Sequence, residues 1–132
     1  MKVFVALLLA FSLFAESWSV VYVSKKLHIK KSDVKNIYFK KMREKNGLSI
    51  TALNLSSSHP ARKAFLKSVL GSDLHNWDIY YDQMYFMGIK SPPVLNSSKS
   101  MMSFLSKIEG AVGYIPTELV KNKHIELTRF EF

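Results

Sequence analysis

Apolar and polar positions change their period several times along the 132 residues, and each change predicts an element. Trp18 to Ser24 alternates and is rich in β-branched residues, with Val21 and Val23 on one side and Val20 and Tyr22 on the other, so it predicts a strand. Val34, Ile37 and Tyr38 then recur at helical spacing behind Ser32, which reads as an N-cap with Asp33 in the first turn; this short helix ends near Phe39. Asn46-Gly47 predicts a turn, Leu48 to Leu53 a second strand, and Asn54 to His59 a serine-rich loop. Pro60 suits the first position of the next helix, whose inner face is Ala64, Phe65, Val69 and Leu70 and which Gly71 stops. Asp73 starts a helix from Leu74 to Met87. Asn96-Ser97-Ser98 opens another through Lys107, with Met101, Met102, Phe104, Leu105 and Ile108 as its apolar set. Ala111 to Ile115 predicts a buried strand, and Ile125 to Phe132 a last strand at a sheet edge, because Arg129 interrupts its alternation.

The amino terminus has a different pattern. Lys2 precedes an apolar run from Val3 to Phe14 that ends at Ala15, which predicts a secretory signal peptide over residues 1–15 and one domain over 16–132. The rival reading is a retained anchor, since Val3 to Val23 is long enough to span a bilayer. Glu16 opposes it, because an acidic residue within a spanning helix costs on the order of 3 kcal/mol near the centre. Without cysteine, an exported chain is held by packing alone.

Charge adds a bound on partners. The chain has 19 basic and 10 acidic residues, a net charge of +9, and cleavage would remove Lys2 alone. Export excludes nucleic acid and leaves an inorganic anion, an acidic protein or an anionic membrane surface. The lysines at 25, 26, 30 and 31 and the Lys40-Lys41-Met42-Arg43 run flank predicted elements rather than forming one block, so they also serve as an ordinary solvated surface.

Catalytic chemistry finds little support, and neither a catalytic group, a metal site nor a cofactor is expected. His75, Asp78 and Asp82 share a helix face at metal-ligand spacing, yet that face is the solvated one opposite Leu74, Trp77, Tyr81 and Met84. There is no nucleophile elbow, phosphate-binding glycine loop or thiol. Met84, Met87, Met101 and Met102 fall where helix inner faces are expected and read as core filling rather than Cu(I) ligands. Trp77, Tyr80, Tyr81, Tyr85 and Phe86 wrap too much of their helix for one buried stripe, and so form a candidate partner-binding patch.

The order Asp33 to Phe39, Ile50 to Asn54, Ala64 to Gly71, Trp77 with Tyr80 and Tyr81, Phe86 with Gly88, Pro92-Pro93 and Gly110 to Ile115 resembles the phosphate-type substrate-binding proteins of ABC transporters, in a short single-lobe form. The resemblance implies an α/β fold: a single lobe of a periplasmic type II binding protein, with a small mixed sheet flanked by about four helices. It also implies an anion loop. The family carries an arginine, an acidic residue and a Ser-Gly-Thr triplet there. This chain reads Leu55-Ser56-Ser57-Ser58-His59-Pro60-Ala61, so serines replace the charged groups, His59 takes the serine's place and Pro60 removes a backbone donor. The stretch from Lys40 to Asn46 also lacks the family's glycine and tryptophan. Ser56, Ser57, Ser58, His59 and Arg62 are the candidate anion ligands, on the ground that hydroxyls and a helix N-terminus favour negative charge; capping of that helix by Ser58 or His59 is the plain alternative.

Two functions follow. The leading expectation is a non-enzymatic, periplasmic interaction or scaffold component of an envelope assembly, with motor (flagellar included), secretion and transport complexes as possible hosts. The alternative is a periplasmic solute-binding protein for phosphate or a related oxyanion feeding an ABC transporter.

Overall fold

The computed structural model describes residues 17–22, 26–121 and 128–132. The signal segment 1–15, the end of the first strand at 23 and 24, and the first part of the last strand at 125–127 lie outside these residues. The elements run β1 (Trp18–Tyr22), α1 (Lys31–Tyr38), β2 (Glu44–Lys45), β3 (Leu48–Ser49), β4 (Thr51–Ala52) and β5 (Asn54–Leu55). They continue with α2 (Pro60–Ser68), α3 (Leu74–Tyr85), β6 (Val94–Leu95), α4 (Ser98–Lys107), β7 (Ala111–Pro116), α5 (Thr117–Lys121) and β8 (Thr128–Glu131).

The main sheet is mixed, with strand order β4-β7-β1-β8. β7 pairs antiparallel with β1 and parallel with β4, while β8 forms the expected edge beside β1. Every residue of β1 is buried, because its neighbours occupy both edges and helices cover the faces. β7 shows how those faces are divided. A Cβ added to Gly113 would lie 2.5 Å from Met101 Sδ of α4, whereas the next residue, Tyr114, stacks on Phe65 of α2 at 4.0 Å. Successive strand residues point to opposite faces, so α4 and α2 sandwich the sheet. Gly113 is required for the close approach of α4.

Helix starts follow local chemistry. Asp73 and Ser97 accept hydrogen bonds from the N–H groups of Asn76 and Ser100, and Pro60 occupies the first turn of α2. α1 corrects one expectation: its N-cap is Lys30, not Ser32. The Asp33 carboxylate accepts from the Lys30 N–H at 3.0 Å and also holds Lys45 at 3.0 Å, which moves the start forward two residues. α3 ends at Tyr85, two residues before the expected Met87.

The predicted strand from Leu48 to Leu53 is divided. Leu48–Ser49 folds back on Glu44–Lys45 across an Asn46-Gly47 turn in which both residues have positive φ, 52° and 78°. Thr51–Ala52 joins β7, and Asn54–Leu55 leaves for β6 as a separate parallel pair. Gly110 seats against this bend: a Cβ there would stand 1.9 Å from the Ser49 carbonyl oxygen. The short helix Thr117–Lys121 and the two-residue strands β2 and β6 have no counterpart in the sequence pattern, being too brief to establish a period.

Candidate functional site

The loop between β5 and α2 is held from below by buried polar groups. Asn54 Oδ1 accepts from the Tyr114 hydroxyl at 2.5 Å and from the Leu55 N–H at 3.0 Å. The Tyr38 hydroxyl donates to the Leu53 carbonyl at 2.7 Å. Burial keeps both phenols neutral: Tyr38 titrates well above the ordinary tyrosine range, and Tyr114 is pushed up to about 12. Neither Asn54 nor Tyr114 was expected at the site. Their signal is present in the sequence as polar groups on strands with otherwise apolar neighbours, which must find partners when buried.

The serine loop satisfies itself. Ser56 Oγ and Ser58 Oγ are 3.0 Å apart, and the Ser56 carbonyl accepts from the His59 N–H at 2.9 Å. His59 is the N-cap of α2, its Nδ1 accepting from the Ala61 N–H at 3.1 Å. That bond requires an unprotonated Nδ1, leaving Nε2 to carry the ring proton, with Ser98 Oγ at 3.5 Å. Pro60 has no N–H, and the Arg62 N–H donates to the His59 carbonyl at 3.0 Å. The first three positions of α2 therefore offer no free backbone donor to an anion. The capping alternative describes His59 well.

Arg62 lies beneath the loop rather than beside it. Only 5% exposed, it donates from Nη1 to the Leu55 carbonyl at 2.8 Å and lays its guanidinium over the Trp77 ring, 5.1 Å from the centroid. Its Nε is buried without an acceptor among the described residues. Burial lowers its pKa, with the nearby tyrosines and Asp78 opposing that shift, and the guanidinium stays charged.

Arg62 also lines an open cleft of about 660 Å³ between α2 and the start of α3, with Ser57, Lys63, Lys67, Ser72 and His75 around it. The cleft's carboxylate, Asp73, is occupied as an N-cap, bonding Asn76 N at 2.8 Å and Asn76 Nδ2 at 3.2 Å. Of the five candidate anion ligands, the structure thus brings Ser57 and Arg62 to the cleft, where Lys63 and Lys67 join them; Ser56, Ser58 and His59 are not among its lining residues. The lysines escaped the sequence reading because an exposed lysine on a helix has no distinguishing pattern.

The aromatic set on α3 also divides. Trp77 and Tyr81 are buried, and Tyr80 is half-buried. The Tyr80 and Tyr81 hydroxyls donate to the Phe39 and Tyr38 carbonyls at the end of α1, satisfying groups that the helix leaves open. Burial raises the Tyr81 phenol pKa well above its usual value. These three therefore do not form an exposed patch. Tyr85 and Phe86 do stand in solvent, 71% and 89% exposed. His75, Asp78 and Asp82 are exposed, and among the described residues no cluster of three or more histidine, cysteine or acidic groups could hold a metal ion.

The mixed sheet sandwiched between helices is the fold of one lobe of a periplasmic binding-type protein. Several solved structures share it. The chain matches an ABC-type phosphate transport receptor from Vibrio cholerae with TM-score 0.59 and 16% identity, over 87% of this chain and 45% of that one. A protein described as a phosphate ABC transporter substrate-binding protein, with phosphate bound, from Clostridium perfringens gives TM-score 0.56 and 16% identity over 88% and 55%. PstS from Borrelia burgdorferi gives 0.58 and 12% over 87% and 47%. The chain thus spans about half the length of these structures. At such identities the likeness concerns the fold. No protein-family model matches the sequence. No curated protein matches it significantly.

Proposed function

We propose that this chain is a non-enzymatic, exported binding module that takes up an inorganic oxyanion, with phosphate as the first candidate, in the cleft between α2 and α3. The observation that carries this reading is the charge around the cleft: Arg62, Lys63 and Lys67 face it together, and its carboxylate is already engaged as a cap. The fold shared with phosphate receptors supports it. Cations in a concave site raise the local concentration of anions and fix their oxygens. The first three positions of α2 have no free backbone donor, so side chains rather than the helix N-terminus supply the binding energy. A single lobe leaves the ion open on one side; a second copy or a separate lobe would close over it before delivery to a transporter.

Calorimetric titration of phosphate and sulfate at low ionic strength tests this reading. Saturable binding is expected, weakened by Lys63→Gln with Lys67→Gln and little changed by alanine at Ser56 and Ser58. Absence of saturable heat with either anion would sink it. A second reading, an interaction or scaffold component of a periplasmic envelope assembly, is favoured by the exposed Tyr85 and Phe86 and by the rebuilt loop. Its signature would be a partner of fixed stoichiometry recovered from the envelope and lost on changing Phe86.

A further inference from the structure

Three consecutive apolar side chains protrude where α3 ends. Tyr85, Phe86 and Met87 are 71%, 89% and 72% exposed, whereas Trp77 and Tyr81 earlier on the same helix are buried. Gly88, at φ 78°, turns the chain here. The N–H groups of Met87 and Gly88 bond back to the carbonyls of Met84 and Tyr85, each at 3.0 Å, so the tip is a closed turn rather than a frayed end. The Tyr80 and Tyr81 hydroxyls anchor its helix to the end of α1. The apolar tip is therefore presented on a braced stem.

Cations lie beside it. Lys40, Arg43 and Lys90 line one groove with Gly88 and Ile89, and none of the three is ion-paired among the described residues. Burial, with the Arg43 charge added, holds the Lys40 ammonium below its ordinary range, as expected where cations gather without a carboxylate among them. Two carboxylates of α3, Asp78 and Asp82, line the adjoining groove with Tyr85 and Lys90, so the three cations outnumber the acidic groups that line the two grooves.

An aromatic and thioether tip flanked by cations is the arrangement by which proteins hold to a bilayer interface: apolar groups enter the headgroup boundary while lysine and arginine meet lipid phosphates. The tip alone is too small for a stable protein interface, which covers roughly 800 Å² on each side with a packed centre, so a protein partner would have to engage further surface beyond these three residues. We propose that the Tyr85–Met87 tip and its Lys40, Arg43 and Lys90 flank dock this protein on an anionic lipid bilayer. This docking is independent of the oxyanion cleft, which is lined by other residues.

Because the chain has no cysteine, one introduced thiol gives a single reporter position. The full chain also carries the apolar run from Val3 to Phe14, so co-sedimentation alone does not report on the tip. A polarity-sensitive fluorophore on Met87→Cys should shift to the blue and be quenched by nitroxide-labelled acyl chains on phosphatidylcholine–phosphatidylglycerol vesicles. The same label on Ser103→Cys, exposed on α4, should do neither. Pure phosphatidylcholine or high salt should abolish the signal. Arg43→Glu with Lys90→Glu, or Phe86→Ser, should each lower the docked fraction about tenfold. The proposal is overturned if the label at position 87 remains water-like while the protein sediments with anionic vesicles. It also fails if the label shifts without lipid as protein concentration rises, which would assign the tip to a second copy, or only after another protein is added.

Discussion

Replacing Arg62 with methionine separates a structural role of this residue from a binding role. The guanidinium contributes a charge-assisted bond to the Leu55 carbonyl at 2.8 Å and a contact with the Trp77 ring at 5.1 Å. Such a bond is worth about 1.5–3 kcal/mol, and the ring contact about 0.5–2 kcal/mol. Against these stand the buried Nε without an acceptor among the described residues, costing about 1–3 kcal/mol, and the desolvation of a cation that is ion-paired to no carboxylate among them and only attracted by Asp78, on the order of a few kcal/mol. The opposing contributions nearly cancel. Methionine retains most of the buried stem, so Arg62→Met is expected to change unfolding free energy by about 1 kcal/mol or less, whereas Arg62→Ala adds a cavity and should cost about 2–4 kcal/mol. Urea denaturation followed by tryptophan fluorescence measures both variants, with an unchanged m-value showing that the denatured state is comparable. Phosphate titration of the folded methionine variant should then show binding strongly weakened. If Arg62→Met is destabilised as much as Arg62→Ala, by about 3 kcal/mol or more, the guanidinium is a net structural anchor and the assignment of its charge to ligand binding fails.

Three further outcomes follow from the packing. Gly110→Ala should destabilise the fold by at least about 2–3 kcal/mol, since its methyl would collide with the Ser49 backbone; wild-type thermal stability in this variant would show that the bend between β3 and β4 yields. Tyr38, Tyr81 and Tyr114 all have raised pKa values, Tyr114 to about 12, so the folded state retains protons that the unfolded chain begins to release near pH 10. Stability should be fully present below that pH and fall as pH rises through 10 to 12, each tyrosine contributing up to about 1.4 kcal/mol per pH unit; a flat denaturation midpoint over that interval would refute the burial argument. His59→Ala should cost about 1 kcal/mol through loss of the α2 cap, and His59→Ser should recover most of it. Equal losses in the two variants, compared by thermal denaturation, would mean that the Trp18 and Ser98 contacts of the ring matter more than the cap.

Much of the fold was legible because its signals are local. Pro60, Asp73 and Ser97 start their helices through atoms within three residues, and Gly71 follows α2 at φ 60° because the residue after a helix often turns left-handed. The resemblance of the Gly110 to Ile115 strand and its neighbours to phosphate-type binding proteins indicated the same lobe that the solved structures match. Leu48 to Leu53 reads as one strand by composition. Its division depends on Gly110 and Val112, residues remote in sequence, whose carbonyls take the N–H groups of Thr51 and Leu53.

The candidate site was less legible for the same reason. Ser56, Ser57 and Ser58 are identical in chemistry, and only their folded positions direct Ser57 toward the cleft while the other two bond each other. On α3, helical periodicity places five aromatic residues around one element, but burial depends on where α1 ends. The Tyr38 and Phe39 carbonyls need donors, and Tyr81 and Tyr80 reach them, while Tyr85 and Phe86 lie beyond that neighbour. Sequence alone determined the four longer helices, the Asp73 and Ser97 caps, the export signal as an expectation and the excess of positive charge, all readable from neighbouring residues or from sums. Tertiary structure decided which cations share a cleft, that Arg62 turns inward beneath Trp77, and which aromatics remain in water, because each depends on pairing between segments dozens of residues apart.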